Sequence, residues 1–416
     1  MLTKIIKKEN KRNVGSRTIM ERYPVKKISE CIDCGICVSV CTHRAIQINS
    51  DDEGFEYPYI NSDTCKDCGR CSLVCPQNFE REQDKQFTVV SYAGHFKDAN
   101  EQLDVTSGGF CTALAHAVIN KGGIVYGVTY TEDFSSTAYF CVKKDKDLHR
   151  ISGVKYTQAH YPNINEISCA LKNGSLVLFI GLPCVVTAMK QHFQDYDNFI
   201  SIALFCQGVS TPLVQYKLKE QIHEKYGIIV SQIIREKHNG KVFLKHEIMD
   251  KNRDKTVIIR KDWNYNSYHT AISLIKRECC YDCKYKYPNI RTDYFVGDYW
   301  GLEDDVDFYS VYGNSAIVVT SEKGKRYLTE LENFTLKNKD TDDIFLRNGS
   351  ALRSVTRSYQ RDKLVNSLQT NSLDVAVKLV IPFEIRVKSK IRAVFLSILP
   401  RNMVRRIREN KKKKVV

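Results

Sequence analysis

The sequence predicts an α/β protein of more than one domain, with a small cysteine-rich module, a mixed α/β core and a basic helical tail. Three observations predict this order. Eight of the sixteen cysteines fall in two short runs near the beginning of the chain. Short apolar runs then alternate with segments of helical periodicity, as they do in α/β domains. The final segment of the chain is rich in Lys and Arg.

Two cysteine runs with the same spacing define the first module. Residues 31–41 and 65–75 both read C-x2-C-x2-C-x3-C, a pattern in which three thiolates bind one iron–sulfur cube and the fourth binds the neighbouring cube. The spacing predicts two [4Fe-4S] clusters. Zinc and a disulfide framework are the alternatives, and the spacing does not suit a tetrahedral zinc site. The first cluster is assigned Cys31, Cys34, Cys37 and Cys75, and the second is assigned Cys65, Cys68, Cys71 and Cys41.

The rest of this ferredoxin-like module, expected at residues 28–80, supports the two runs. Gly35 and Gly69 occupy equivalent positions, where the backbone must curl closely around the cluster. Between the runs, residues 45–48 and 55–60 alternate apolar and polar side chains, which predicts a hairpin. A module of this size is expected to depend on its clusters for stability.

Composition restricts the compartment and the class of protein. The 416 residues suffice for two or three domains, and the 43% of hydrophobic residues can fill ordinary cores. Residues 1–27 form a basic arm without the apolar region of a secretory signal, so we expect a reducing, cytoplasmic location. No apolar run approaches the roughly 20 residues that span a bilayer. The formal charge of +15 has no recognisable nucleic-acid-binding fold beside it, so we predict no nucleic-acid partner.

The core is predicted to begin with a strand at residues 87–93. Ser107, Gly108 and Gly109 then open a helix whose apolar residues recur at helical spacing, and a strand at 124–130 follows. Backbone N–H groups at a glycine-rich helix start can bind a phosphate. A serine N-cap in a tight turn is the structural alternative. The residues alone leave both interpretations open.

Two buried strands are predicted to end in cysteine. The apolar residues 176–180 lead to Cys184, and residues 199–205 lead to Cys206. Strands of this kind belong to parallel or mixed sheets, which bind ligands at the carboxyl ends of their strands. Each cysteine by itself also fits a small apolar residue of a core.

A C-x2-C pair, Cys280 and Cys283, supplies two further candidate ligands. By itself such a pair fits zinc, a redox disulfide or a cluster. With Cys184 and Cys206 it makes four thiolates, which is enough for a third [4Fe-4S] cluster. The spacing alone leaves this third site open. The cysteines without a predicted ligand role are Cys111, Cys141, Cys169 and Cys279.

The chain ends in a predicted helical basic tail, residues 346–416. A strand at 316–320 and a helix start at Ser321 precede it. From Arg386 onward the tail holds twelve Lys or Arg residues against one acid, and its apolar residues fall roughly on one helical face. Two interpretations stay open: a helix on a membrane surface, and an amphipathic helix packed on the protein and followed by a solvated lysine run.

Six short motifs in order, over about residues 28–330, resemble the β-subunit family of coenzyme F-420 hydrogenases and dehydrogenases. They are Ser107-Gly-Gly109, Ser152-Gly-Val-Lys-Tyr156-Thr-Gln158, Gly181-Leu-Pro-Cys184, Cys206-Gln-Gly208, Cys280-x2-Cys283 and Val296-Gly-Asp-Tyr-Trp-Gly301. The resemblance implies an iron–sulfur flavoprotein that holds FAD, and it favours the third cluster. It also implies a flavin-binding core made of an N-terminal domain, residues 87–210, and a C-terminal domain, residues 211–345.

The same resemblance implies candidate flavin contacts and an activity. The candidate contacts are Ser107, Gly108, Gly109, Lys155 and Tyr156. Clusters pass single electrons and a flavin stores two, so their combination can drive reduction of an organic substrate. We therefore predict a ferredoxin-linked, flavin-dependent oxidoreductase that passes electrons through FAD to a 5-deazaflavin or another small molecule.

Two other functions stay open. The first is an electron-transfer β subunit that works within a larger complex and has no substrate of its own. The second is a reductase of surface-polysaccharide synthesis at the inner face of the membrane, contacted through the basic tail. The expected protein partner is reduced ferredoxin or another electron-transfer protein. No catalytic residue is assigned, and His160 and Asp298 are the candidates for an acid.

Overall fold

The computed structural model describes residues 22–78, 88–238, 241–251 and 255–382. These residues form the cysteine-rich module, a nine-stranded mixed sheet and a three-stranded antiparallel sheet, with helices packed on both sheets. The predicted fold class, multi-domain α/β, is therefore confirmed. Most of the predicted arm and the basic part of the tail, from Arg386, lie outside the described residues. No helix within the described ranges is long and apolar enough to cross a membrane.

The elements of the described residues have the following bounds. The strands are β1 (Ile46–Ser50), β2 (Glu56–Ile60), β3 (Val90–Phe96), β4 (Ile124–Tyr130), β5 (Thr137–Val142), β6 (Ala159–His160), β7 (Val177–Gly181), β8 (Phe199–Leu204), β9 (Gly227–His238), β10 (Lys241–Asp250), β11 (Thr256–Asp262), β12 (Tyr294–Asp298), β13 (Ser315–Val319) and β14 (Phe334–Asn338). The α-helices are α1 (Ile36–Ser39), α2 (Arg70–Leu73), α3 (Ala99–Asp104), α4 (Phe110–Asn120), α5 (Ile164–Lys172), α6 (Pro183–His192), α7 (Pro212–Lys225), α8 (Ser267–Leu274), α9 (Glu322–Tyr327), α10 (Thr341–Arg347), α11 (Arg361–Thr370) and α12 (Leu373–Val380).

The two cysteine runs of the module fold in the same way. Each run turns through a glycine in the left-handed region, Gly35 at φ +74° and Gly69 at φ +71°, and that glycine caps α1 or α2. The backbone N–H two residues after the first cysteine lies 3.4 Å from the sulfur of Cys31 and 3.5 Å from that of Cys65. Strands β1 and β2 pair antiparallel between the runs, as predicted. Positive φ is the local reason for glycine at both positions.

The nine-stranded sheet has the strand order β14-β3-β13-β12-β8-β7-β4-β5-β6. Strand β7 runs parallel to β4 and β8, and β8 runs parallel to β12, so these carboxyl ends meet at one edge. Helix α4 packs on one face and helices α5 and α6 pack on the other. The strand predicted from residue 87 begins at Val90, and residue 87 itself lies outside the described residues.

The three-stranded sheet has the order β11-β10-β9 and buries Ile234, Leu244 and Ile248 against helices α7, α8, α11 and α12. Strand β9 bulges at Arg235, which faces no residue of β10 in the register and has φ +63°. The predicted domain boundary at residue 210 falls between β8 and α7. Because β12, β13 and β14 return to the large sheet, the segment 211–345 contributes strands to both sheets.

The cysteine module packs on the large domain through its first run. Ile32, Cys34 and Ile36 share one apolar core with residues of the large domain, Val185 and Ile290 among them. The turn between β1 and β2 provides a second contact, because Glu53 forms an ion pair with Arg361 at the start of α11. The first cysteine run therefore faces the core.

Candidate metal and cofactor sites

The four cysteines predicted to hold the first cluster line one cavity of the module. Cys75 reaches this cavity from the second run and joins Cys31, Cys34 and Cys37, as the crossed pattern requires. The remaining lining is mainly apolar and includes Ile48. Burial raises the pKa of the Cys34 and Cys37 thiols, followed by the effect of neighbouring thiolates. Bound iron would replace these protons, since a coordinating thiol is deprotonated.

The four cysteines of the second predicted cluster lie closer to the surface. Burial raises the pKa of Cys71, hydrogen bonds with Ser72 oppose this effect, and the nearby Cys41 of the first run adds a small further increase. The guanidinium of Arg22 interacts with both Cys65 and Cys71. Cys68 is exposed, whereas Cys31 and Cys34 are buried. The second site is thus the one nearer to solvent.

The third predicted site forms at the edge where the parallel strands end. Cys184 is the second residue of α6, directly after β7, and Cys206 follows the neighbouring strand β8. Burial and then the thiolates of Cys206, Cys283 and Cys280 raise the pKa of Cys184. The structure therefore brings together the four cysteines that the sequence grouped from three separate segments.

Two buried lysines lie beside this third site, and the sequence reasoning missed them. Lys276 and Lys286 are each 9% exposed. The Lys276 ammonium donates to the carbonyl of Gly208 at 3.1 Å, and that of Lys286 donates to the carbonyl of Cys206 at 2.7 Å. Four thiolates around a cube leave a negative charge, which buried cations compensate. The basic residues that flank the C-x2-C pair in the sequence could have indicated these two lysines.

Cys279, which was left without a role, lies next to this site. Its thiol donates a hydrogen bond to Cys280, which lowers the pKa of Cys280.

Within the described ranges no three His, Cys, Asp or Glu side chains converge as they would around one metal ion. A cube presents a separate iron to each cysteine, so the four sulfurs of a cluster site lie further apart than the ligands of a single ion.

The segment predicted to bind phosphate, Ser107 to Gly109, is held by the protein itself. The Ser107 hydroxyl donates to the carbonyl of Asn314 at 2.7 Å, and the N–H of Gly108 donates to the hydroxyl of Ser315 at 3.1 Å. Gly109, with φ +90°, caps α4, so the serine N-cap weighed as the alternative is not what the structure shows. The predicted helix itself is confirmed.

The side chains of Lys155 and Tyr156, the other candidate flavin contacts, have different neighbours. The Tyr156 ring stacks on Trp263 with centroids 5.5 Å apart, and its hydroxyl is hydrogen-bonded to Arg235. The Lys155 ammonium donates to the carbonyl of Ser152 at 2.6 Å, within its own loop. Burial lowers the pKa of Lys155 to about 7.

Two basic residues of β9, Arg235 and Lys237, lie beside Tyr156 and Ser107 and are called the basic pair below. Arg235 forms an ion pair with Asp298 at the end of β12, and Lys237 donates to the Ser107 carbonyl at 3.0 Å. Burial lowers the pKa of Lys237 to about 8, and the charge of Asp298 opposes that effect. The sequence reasoning missed both cations, because their position depends on the bulge in β9.

The two acid candidates fall in separate places. Asp298 lies beside the basic pair and forms an ion pair with Arg235. His160 lies on the surface near the cysteine module, and its Nδ1 is 2.8 Å from Oε2 of Glu56. This hydrogen bond raises the pKa of His160.

Two family models match the chain in sequence. Residues 30–79 match a 4Fe-4S dicluster domain, and residues 174–343 match the C terminus of the coenzyme F420 hydrogenase/dehydrogenase beta subunit. No curated protein matches the chain. Thirteen chains of solved structures match, including one from the xenon-derivatized F420-reducing [NiFe] hydrogenase complex of Methanosarcina barkeri. That match is 16% identical, has a TM-score of 0.43, and covers 66% of this chain and 90% of the other.

These matches, with the cysteine geometry, define an iron–sulfur electron-transfer protein of the oxidoreductase type. The chain joins a 4Fe-4S dicluster domain to the C-terminal part of the coenzyme F420 hydrogenase/dehydrogenase beta-subunit family, so the family resemblance is confirmed. The prediction of two [4Fe-4S] clusters is confirmed by the dicluster match.

Proposed function

We propose that this protein is an iron–sulfur flavoprotein oxidoreductase. Electrons from reduced ferredoxin, or another low-potential protein, enter at the cysteine module and cross to a third [4Fe-4S] cluster. FAD held beside the basic pair would supply two-electron chemistry to a 5-deazaflavin or another small molecule. The observation that carries the proposal is the third site, where four cysteines from three segments meet beside two buried lysines.

The residues of the third site fit an anionic four-iron cluster. Cys184, Cys206, Cys280 and Cys283 supply the four soft ligands that such a cluster requires. Lys276 and Lys286 supply buried positive charge next to the ligand segments. The N–H of Gly208 lies 3.3 Å from the sulfur of Cys206, a contact of the kind that stabilises a cluster thiolate.

The depth of the sites supports a direction of electron flow. The second site of the module, with exposed Cys68, is nearest to a protein donor. The first site is enclosed where Ile32, Cys34 and Ile36 pack on the large domain. Electrons entering at the surface would therefore reach the third site through the first.

The basic pair, Arg235 and Lys237, supports flavin binding. Clusters exchange single electrons and a bound flavin stores two, which is the chemistry these groups would supply. Arg235 and Lys237 place positive charge where a diphosphate or an anionic reduced ring would bind. Tyr156 offers an aromatic face, and the carbonyl of Ser107 holds the ammonium of Lys237 in place. Lys155 would add charge after leaving the carbonyl of Ser152.

One alternative also has a specific observation in its favour. The matched family model is that of a beta subunit, so the chain would relay electrons in a larger complex and have no substrate of its own. In that case the isolated protein would hold its cofactors and turn over no small molecule. The membrane-bound polysaccharide reductase stays a prediction, because the tail that motivates it lies outside the described residues.

Cofactor content after anaerobic reconstitution tests the proposal. The full chain should hold about twelve irons in three four-iron clusters and one FAD. Cys283→Ser should lower the iron content to about eight, since it removes a third-site ligand. Cys169→Ser is the matched control, because Cys169 is exposed and outside every predicted site. Wild-type protein that holds about eight irons, or that binds no FAD when offered it, contradicts the proposal.

A further inference from the structure

We infer that Arg277 links the first cluster site of the cysteine module to the third site in the core, and that its charge raises the reduction potential of the first cluster. Arg277 would be a positioning residue, since it contacts the protein groups around the clusters. For the third site, the inference rests on the proposed function.

The side chain of Arg277 reaches from the core into the cysteine module. It is 1% exposed, and its guanidinium donates from Nε to the carbonyl of Cys31 at 2.7 Å. Nη2 donates to the carbonyl of Glu56 at 2.8 Å, and Nη1 donates to Oε1 of Gln158 at 2.6 Å. One buried cation therefore holds the first cysteine of the module and the strand β2 against the core.

The surroundings keep this guanidinium charged and fixed. It lies over the Tyr57 ring at 4.1 Å from the centroid and over the Phe55 ring at 5.6 Å. Asp33, which follows Cys31 in the first run, faces the same guanidinium and accepts a hydrogen bond from Gln158. Arginine stays protonated in proteins, so its charge is permanent beside the first site.

The backbone of Arg277 completes a connection to the third site. Its carbonyl accepts a hydrogen bond from the N–H of Cys280 at 2.9 Å, and its N–H donates to the carbonyl of Val209 at 3.0 Å. A path of covalent bonds and two hydrogen bonds thus runs from Cys280 through Arg277 to Cys31. For an electron transferred along this path, the first cluster would lose one electron and the third would gain it, and no proton would move and no bond would form or break. The low-potential protein donor supplies this electron.

The charge of Arg277 has a defined electrostatic consequence. Reduction adds one negative charge to a cluster, and a buried cation stabilises the more negative state. The potentials of clusters follow net charge, hydrogen bonding and solvent exposure. Loss of Arg277 should therefore lower the potential of the first cluster.

The test is a redox titration of the reconstituted full chain, followed by electron paramagnetic resonance. Arg277→Gln should make reduction of one module cluster about tenfold less favourable, which is about 59 mV for a one-electron couple. The second cluster of the module is an internal reference, because its reduction potential should shift less than that of the first. Arg277→Lys keeps the charge and should retain most of the potential, which preserves the test if the Gln variant folds poorly.

Arg361→Gln is the matched control. Arg361 is 4% exposed and also joins the module to the core, through Glu53 and the carbonyl of Lys276. The Arg361→Gln variant should leave the reduction potentials of both module clusters unchanged. An unshifted potential in Arg277→Gln overturns the inference, and so does an equal shift in Arg361→Gln, which would mean that loosened docking is the cause.

Failure of the proposed function gives a different result. Wild-type protein with about eight irons removes the third site, and with it the link through Cys280. The reduction potential of the first cluster is measured in the same sample. Its shift tests the effect of the Arg277 charge whether or not the third cluster is present.

Discussion

Arg235 and Asp298 form an ion pair that joins the two sheets of the core, with Nη2 2.9 Å from Oδ2. Arg235 is one of two bulged residues of β9, and its left-handed backbone, φ +63°, directs the side chain away from the regular ladder. Asp298 ends β12 of the large sheet. The basic pair therefore lies where the two sheets meet.

Arg235→Gln should weaken FAD binding about tenfold, because a charge-assisted hydrogen bond contributes about 1.5–3 kcal/mol and 1.4 kcal/mol is a factor of ten. Equilibrium titration with FAD under anaerobic conditions measures the change. Arg260→Gln is the control, since Arg260 pairs with Glu236 on the exposed side of the small sheet. Equal losses in the two variants would contradict flavin binding beside the basic pair.

FAD affinity should fall as the pH rises through about 8. Burial lowers the pKa of Lys237 to about 8, so its ammonium is charged below this pH and neutral above it. The anionic diphosphate prefers the charged form, so proton loss weakens binding. Dissociation constants measured from pH 6.5 to 9.5 should show this fall in the wild type and a flatter profile in Lys237→Arg. The same pH profile in both proteins would rule out Lys237 as the titrating group.

Gly35→Ala should destabilise the protein more than Gly69→Ala. Both positions have positive φ, which costs about 1–2 kcal/mol for a residue with a Cβ. At Gly35 the added Cβ would also lie 2.7 Å from the Cβ of Tyr161, whereas nothing lies within 4 Å at Gly69. Overpacking adds about 1–3 kcal/mol. Urea unfolding of the reconstituted proteins compares the two, and equal losses would show that the module does not pack on Tyr161.

Asp293→Asn should cost about 1–3 kcal/mol of the free energy of unfolding, because it replaces a fully buried carboxylate that accepts hydrogen bonds from several donors, including the partly buried Lys190. Asp293 is 0% exposed, and its carboxylate binds the ammonium of Lys190 at 2.8 Å and the hydroxyl of Ser201 at 2.9 Å. Asp305→Asn, at a surface pair with Lys337 and Lys339, is the control and should cost less. Chemical denaturation gives both values, and a neutral Asp293 variant would contradict the role of this ion pair.

The parts of the fold and sites that follow from local pattern were predictable from the sequence. The cysteine spacing alone predicts the two-cluster module, and glycine at positions 35 and 69 follows from the same turn. The apolar strands before Cys184 and Cys206 were predictable because their runs are continuous, and their parallel pairing places both cysteines at one edge.

The features that the sequence did not reveal depend on contacts between distant segments. Arg277 meets Cys31 across 246 positions of the chain, and no local pattern marks that contact. The direction of the Arg235 side chain depends on a bulge, and the pairing of β9 with β10 sets the position of that bulge. The sequence grouped Lys155 with Tyr156, but the ammonium of Lys155 turns back to the carbonyl of Ser152.

Rapid anaerobic mixing with reduced ferredoxin tests the central claim most directly, because it follows electrons through the reconstituted protein. Absorbance of the clusters should bleach first and that of the flavin afterwards. In Cys283→Ser the module clusters should still bleach, while flavin reduction slows at least about tenfold, since the third site lies on the path. Iron-replete protein that shows no flavin reduction after the clusters bleach, or flavin reduction that Cys283→Ser leaves unchanged, would contradict the account.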